Sequence, residues 1–262
     1  MFGTPYWLLH YYTILGYFSL IINLIGLYLV LFKSSTMGNY KYNLLYLQLS
    51  CTFLYIIFLH GMKPITFLPI MGLSCKHGVL WRYLGISSRV SVVVFAELFA
   101  NIVISMTSCF LKKYSAVTSV GKRNIIPTII IILVIVFNQI CIIVLTLAIP
   151  TKQQQLNLIP EEYNNYFDIL EDYLLFEMDT LSIIFIVLVP IGASLIILII
   201  FLITVKMFDA LSIINPRQSE TNTKRHKIVL KSLIAQSLTT VVFLVPCIIF
   251  VFVTVVEISN GN

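Results

Sequence analysis

The sequence is short of charge. Of its 262 residues, 11% are Asp, Glu, Lys or Arg and 59% are hydrophobic. A soluble globular domain carries about 25% charged residues, so this composition implies a membrane protein. Signatures of catalysis are missing as well. There are no paired His at helical spacing, no Gly-rich phosphate loop and no Cys-x-x-Cys. The sequence therefore assigns no catalytic residue, no metal ligand and no cofactor, and no enzyme is expected. No span repeats Arg or Lys at every third position, which excludes a voltage sensor. The two halves show no paired broken helices of the transporter kind. No Asn-x-Ser/Thr acceptor occurs in the segments read below as external. A basic leader is lacking too, since the first Lys is Lys33, behind the first apolar run. That run reads as an anchor, not a cleaved signal.

What the sequence does contain is a series of apolar runs. About 20 residues rising 1.5 Å each cross the hydrocarbon layer, and six stretches are long enough to do so. They cover roughly 8–32, 44–67, 83–111, 125–149, 181–205 and 228–256. His60, Lys63, Pro64 and Pro69 crowd the far end of the second, where a cation can snorkel to the interface. The fold expected is an all-α membrane protein, a polytopic helical bundle forming a single transmembrane domain over residues 1–262.

The loops set the orientation. Lys33, Lys41, Lys112, Lys113, Lys122, Arg123, Lys206, Arg217, Lys224, Arg225, Lys227 and Lys231 fall in alternate connections. Positive charge beside a span marks its cytoplasmic end. The net charge of +6 is explained by these loops and does not point to nucleic acid. The loop 150–180 is acidic, with Glu161, Glu162, Asp168, Glu171, Asp172, Glu177 and Asp179 against Lys152. It is expected outside as a solvated surface, with a cation site as the alternative. The N-terminus is then outside, and six crossings bring Asn262 outside as well.

Polar residues inside the spans are the candidate site. In the third span Glu97, Asn101, Ser105 and Ser108 are spaced four, four and three apart. That spacing puts them on one helical face, within about 80° of each other. A carboxylate near mid-bilayer is costly unless it faces the interior, is paired or is protonated. Two readings stay open, a ligand site or an interhelical tie from Glu97 to Gln236 or Asn138. Arg89, two turns away, is expected to snorkel outward. Ser232, Gln236 and Thr240 make a similar stripe in the sixth span, while Asn23, Asn138 and Gln139 mark the first and fourth. Pro246 lacks an amide proton and would leave the carbonyl of Val242 unpaired, which makes it a candidate hinge.

Several segments carry a family resemblance. "PYWLLHYYTILGYFSLIINLIGLYLVLFKSSTM", "YKYNLLYLQLSC", "FLPIMGLSCKHGVL", "CFLKKYSAV" and "HKIVLKSLIAQ…VP" occur in that order along essentially the whole chain. Together they resemble the nematode serpentine chemoreceptors of class I, near those of class H. The resemblance implies a seven-helix G-protein-coupled receptor of the plasma membrane, detecting small molecules in sensory neurons. Its implied partners are a small-molecule ligand, a heterotrimeric G protein, membrane lipid and a further receptor copy. Residues Cys109 to Tyr114 read Cys-Phe-Leu-Lys-Lys-Tyr where many seven-helix receptors have Asp-Arg-Tyr, so that ionic switch is absent. Many such receptors also bridge the position of Cys75 to the second external loop, yet 150–180 contains no Cys. His226, Ser232 and Gln236 match the family's entry to span six, and Pro246 its hinge.

The resulting expectation is a chemosensory receptor with Glu97, Asn101, Ser105 and Gln236 at the ligand. Lys112, Lys113, Lys224, Arg225 and Lys227 would face the G protein, with Pro246 as hinge. The seventh span of the family is missing before Asn262, so a non-functional truncated receptor product is one alternative. A six-span transporter or channel is the other.

Overall fold

Backbone N–H and C=O groups have no water to bond inside a bilayer, so an apolar chain must pair them within itself. This chain does so through long helices. The computed structural model describes residues 6–33, 38–67, 72–118, 125–157, 173–175, 179–214 and 231. In order these form α1 (Tyr6–Tyr28), α2 (Tyr40–Ile56), β1 (Ile65–Phe67), β2 (Gly72–Ser74), α3 (Val79–Leu84) and α4 (Ser88–Thr118). Then come α5 (Ile126–Ala148), α6 (Lys152–Asn157), β3 (Leu174–Leu175) and α7 (Thr180–Ile214). Both α1 and α2 end in a π-helical turn, Leu29–Lys33 and Ile57–Met62.

Five helices are long and apolar enough to cross a membrane: Tyr6–Lys33, Tyr40–Met62, Ser88–Ser115, Ile126–Ala148 and Thr180–Met207. Their outer faces keep the apolar side chains that water would reject. Ile14, Phe18, Ile132, Leu133, Leu198 and Phe201 are all more than half exposed. A surface of that kind is stable only against lipid or protein. The molecule is thus a polytopic helical membrane protein. The sixth expected span, 228–256, lies outside the described residues apart from Lys231.

The chain divides into two compact units. The first comprises Met1–Ser105 with Leu133–Phe185, the second Met106–Ile132 with Ile186–Asn262. In the first, α1 packs along α2 and its terminal turn. Gly16 makes room there, since a Cβ on it would stand 2.5 Å from Nε2 of His60. Helix α3 packs on the same turn. A Cβ on Gly78, just ahead of α3, would overlap the backbone carbonyl of Gly61. Only glycine permits that approach.

The second span lies four to five residues earlier than expected, at Tyr40–Met62. It stops at Met62 because Pro64 disfavours helical geometry in the residue before it. Lys63 takes the left-handed conformation instead, at φ 44°, and its N–H donates to the Phe58 carbonyl over 3.1 Å. The expected tail of the span, 65–67, is a strand. Likewise the third span starts at Ser88, not near Tyr83, which belongs to the separate α3.

The strands form one antiparallel sheet in the order β1-β2-β3. Ile65 faces Ser74, Thr66 faces Leu73 and Phe67 faces Gly72. On its other edge Gly72 faces Leu175 and Leu73 faces Leu174. Leu174 continues into a core with Leu145 and Ile149 of the α5 end. Val92, Val93 and Ala96 of α4 and Phe185 of α7 pack against that core.

In the second unit, Cys109, Phe110 and Leu111 of α4 are fully buried, as is Met207 of α7. Pro190 lies inside α7 and leaves the Ile186 carbonyl without its usual helical donor.

Candidate functional site

Most polar side chains within the helices turn first to their own backbone. Thr13, Ser50, Thr52, Asn138 and Thr146 each donate to the carbonyl four residues earlier, at 2.7–2.9 Å. Such bonds satisfy the side chain without recruiting a neighbour. The residues that reach across to another helix are fewer.

One cross-helix group is centred on Glu97 and Asn101 of α4, within the first unit. Asn101 donates through Nδ2 to the Glu97 backbone carbonyl at 2.9 Å. Its Oδ1 accepts from the Tyr46 hydroxyl of α2, also at 2.9 Å. Glu97 Oε1 accepts from Nε2 of Gln139 on α5 at 3.2 Å. Three helices thus meet through four polar side chains. Interhelical hydrogen bonds of this type contribute about 0.6–2 kcal/mol each in a bilayer.

The sequence placed this tie one residue off. Asn138 bonds to Val134 of its own helix, and the adjacent Gln139 reaches Glu97. Successive residues of a helix differ by about 100° in direction, so the exchange turns a different side of α5 toward α4. Tyr46 was missed because a tyrosine in an apolar run reads as apolar; only its hydroxyl gives it a role. Ser105 is on the same stripe of α4 but fully buried, and its hydroxyl donates to the Ile102 carbonyl at 2.9 Å. Gln236 lies outside the described residues, as do Lys224, Arg225, Lys227 and Pro246.

A second tie joins α1 and α2. Gln48 Nε2 donates to Asn23 Oδ1 at 3.0 Å and to the Asn23 carbonyl at 3.2 Å. Asn23 Nδ2 donates in turn to the Ser19 carbonyl at 2.8 Å. Aromatic rings run beside these ties. Phe58 stands 5.2 Å from Phe95 and 6.0 Å from Tyr12, with Phe95 6.4 Å from Phe99, centroid to centroid.

Two cations near the sheet are held by neutral groups. Lys63 Nζ donates to Thr13 Oγ1 at 2.9 Å, while the adjacent Pro64 carbonyl accepts from Tyr12 at 3.0 Å. Arg89, expected to snorkel outward, has its Nη2 3.4 Å from the carbonyl of Thr146, two residues from the end of α5. Cys75, between β2 and α3, is a buried free thiol whose backbone N–H donates to Ser88 Oγ at 3.1 Å. Burial pushes its thiol up to about 11, against a smaller lowering by Ser88. In the second unit, Lys112 is exposed and the neighbouring Lys113 is buried. Among the described residues no group of three or more His, Cys, Asp or Glu could hold a metal.

Long apolar helices tied by polar contacts between them define a multi-pass helical membrane protein. A family model described as serpentine type 7TM GPCR chemoreceptor Sri matches residues 1–262. The chain belongs to this family of seven-transmembrane chemoreceptors. No curated protein and no solved structure matches it. Membership gives the chain a chemoreceptor role in general terms, with a ligand and a G protein as the partners such receptors have.

Proposed function

We propose that the chain detects a small molecule at the polar group of Glu97 and Asn101 and relays its binding to a heterotrimeric G protein. The observation that carries this reading is the convergence of Tyr46, Glu97, Asn101 and Gln139 from three helices of a chemoreceptor-family chain. Glu97 and Asn101 are the contacts, each only partly buried. Ser105 supports them from behind, its hydroxyl engaged by Ile102. By sequence, Gln236 is the contact from the sixth apolar stretch and Pro246 its hinge.

On the charge pattern of the loops the N-terminus is outside, and the family implies the plasma membrane as the place of the receptor. Lys112 is then cytoplasmic with Lys224, Arg225 and Lys227, and these face an acidic surface of the G protein; Lys113, expected among them, is buried and is left out of that face. Ligand binding shifts a two-state equilibrium that repositions these basic residues.

The test needs no ligand. Purified receptor in lipid nanodiscs is mixed with heterotrimers of each main Gα class, and basal nucleotide exchange is followed. One class is expected to exchange faster than with empty discs, and Lys112→Glu should cut that gain by about tenfold, the scale of one lost charge contact. Exchange equal to empty discs for every class would remove the coupling.

A further inference from the structure

We propose that the ligand of the Glu97 group carries a positive charge, a protonated amine on a small apolar frame. The inference rests on the receptor reading above and assigns the ligand its chemistry.

The donor and acceptor balance of the group leads there. Gln139 supplies a neutral N–H to one carboxylate oxygen of Glu97. The other oxygen has no partner among the described residues. The Tyr46 hydroxyl is committed to Asn101 and one Asn101 amide N–H to the Glu97 backbone carbonyl, so the N–H donors left over are neutral amide ones. What the group offers a newcomer is acceptor capacity and negative charge.

Among the described residues no cation is bonded to it. Arg89 is directed to the Thr146 carbonyl and Lys63 to Thr13. The sequence from 232 to 262, which holds most of the sixth apolar stretch, contains no Lys, Arg or His. Lipid headgroups do not reach either. Glu97 comes nine residues after Ser88, the first residue of its helix. At 1.5 Å per residue that is about 14 Å, near the middle of a ~30 Å hydrocarbon layer. A carboxylate at such a depth is stabilised by a cation far more than by a neutral donor, because low dielectric strengthens the attraction. An amine of few carbons can enter and donate to both Glu97 and Asn101.

The test compares hexylamine with hexanol, equal in length and differing in charge. Each is titrated against purified receptor in nanodiscs, and the melting temperature reports saturable binding. The amine is expected to bind about tenfold more tightly than the alcohol, the ratio of a single worthwhile charge contact. In Glu97→Gln, whose amide oxygen still accepts from Gln139, that preference should vanish. Equal binding of amine and alcohol to the wild type overturns the proposal, even if the variant fails to fold. So does an amine preference that survives Glu97→Gln. Because no G protein takes part, the two readings fail separately. Nucleotide exchange without an amine preference removes only the cationic ligand, and the converse removes only the coupling.

Discussion

Cys75 illustrates how one residue departs from what its position suggests. It sits beside the strand that meets the second long loop, yet it is buried and free of any disulfide. Burial favours the neutral thiol, raising it from an ordinary 9.0 to about 11. The raised value means the folded protein holds its proton more tightly than the unfolded chain. Its contribution to stability is therefore complete below about pH 9 and is lost as pH rises through about 11. Iodoacetamide labelling, read at Cys75 by peptide mass spectrometry, should be slow in native protein at pH 9 and climb only towards pH 11. Rapid native labelling at pH 8 would show a thiol that is neither buried nor raised. Other single residues were only half legible in the sequence. The spacing of Glu97, Asn101 and Ser105 could be read directly, but not that Ser105 is committed to Ile102. Helical periodicity fixes which residues share a face. It does not say which of them bond their own helix.

Among the elements, the agreement between sequence and structure follows length. Helix α5, expected at 125–149, spans Ile126–Ala148. A long run of Ile, Leu and Val with no internal breaker leaves little room for another reading. The errors fall where short segments adjoin long ones. Ile65, Thr66 and Phe67 look like the end of an apolar span, and only Lys63 and Pro64 signal that the helix has stopped. Tyr83 and Leu84, the end of α3, were absorbed into the third span in the same way, across Gly85. Strands of two or three residues carry too little pattern to be seen at all. Their register is nevertheless testable. Leu73 faces Leu174 across the β2–β3 pair. Opposed residues bring Cβ atoms within reach of a disulfide, whereas a shift by one residue turns them to opposite faces. Leu73→Cys with Leu174→Cys should cross-link under mild oxidation, and Leu73→Cys with Leu175→Cys should not. The reverse outcome would place the register one residue away.

For the molecule as a whole, charge distribution is the strongest sequence signal, and it bears on orientation. Thr151, ahead of α6, and Lys112, near the end of α4, are both exposed and fall in connections of opposite charge character. With the N-terminus outside, Thr151→Cys in intact cells should react with a membrane-impermeant maleimide. Lys112→Cys should react only after permeabilisation. The opposite pattern would invert the receptor. The family was readable from the order of several weak apolar segments along the chain, and the full-length family match bears that reading out. The site was less so, because Gln139 and Tyr46 enter it through helix rotations that no linear spacing encodes.

The joint between β2 and β3 has one more implication. Strands β2 and β3 are fastened by a few backbone hydrogen bonds, where a sulfur bridge would need a reductant to come apart. Such a short ladder opens by thermal fraying and recloses unaided. Its grip is set by temperature, not by the redox state of the surroundings. This fastening of β2 to β3 is the same in a reducing medium as in an oxidising one.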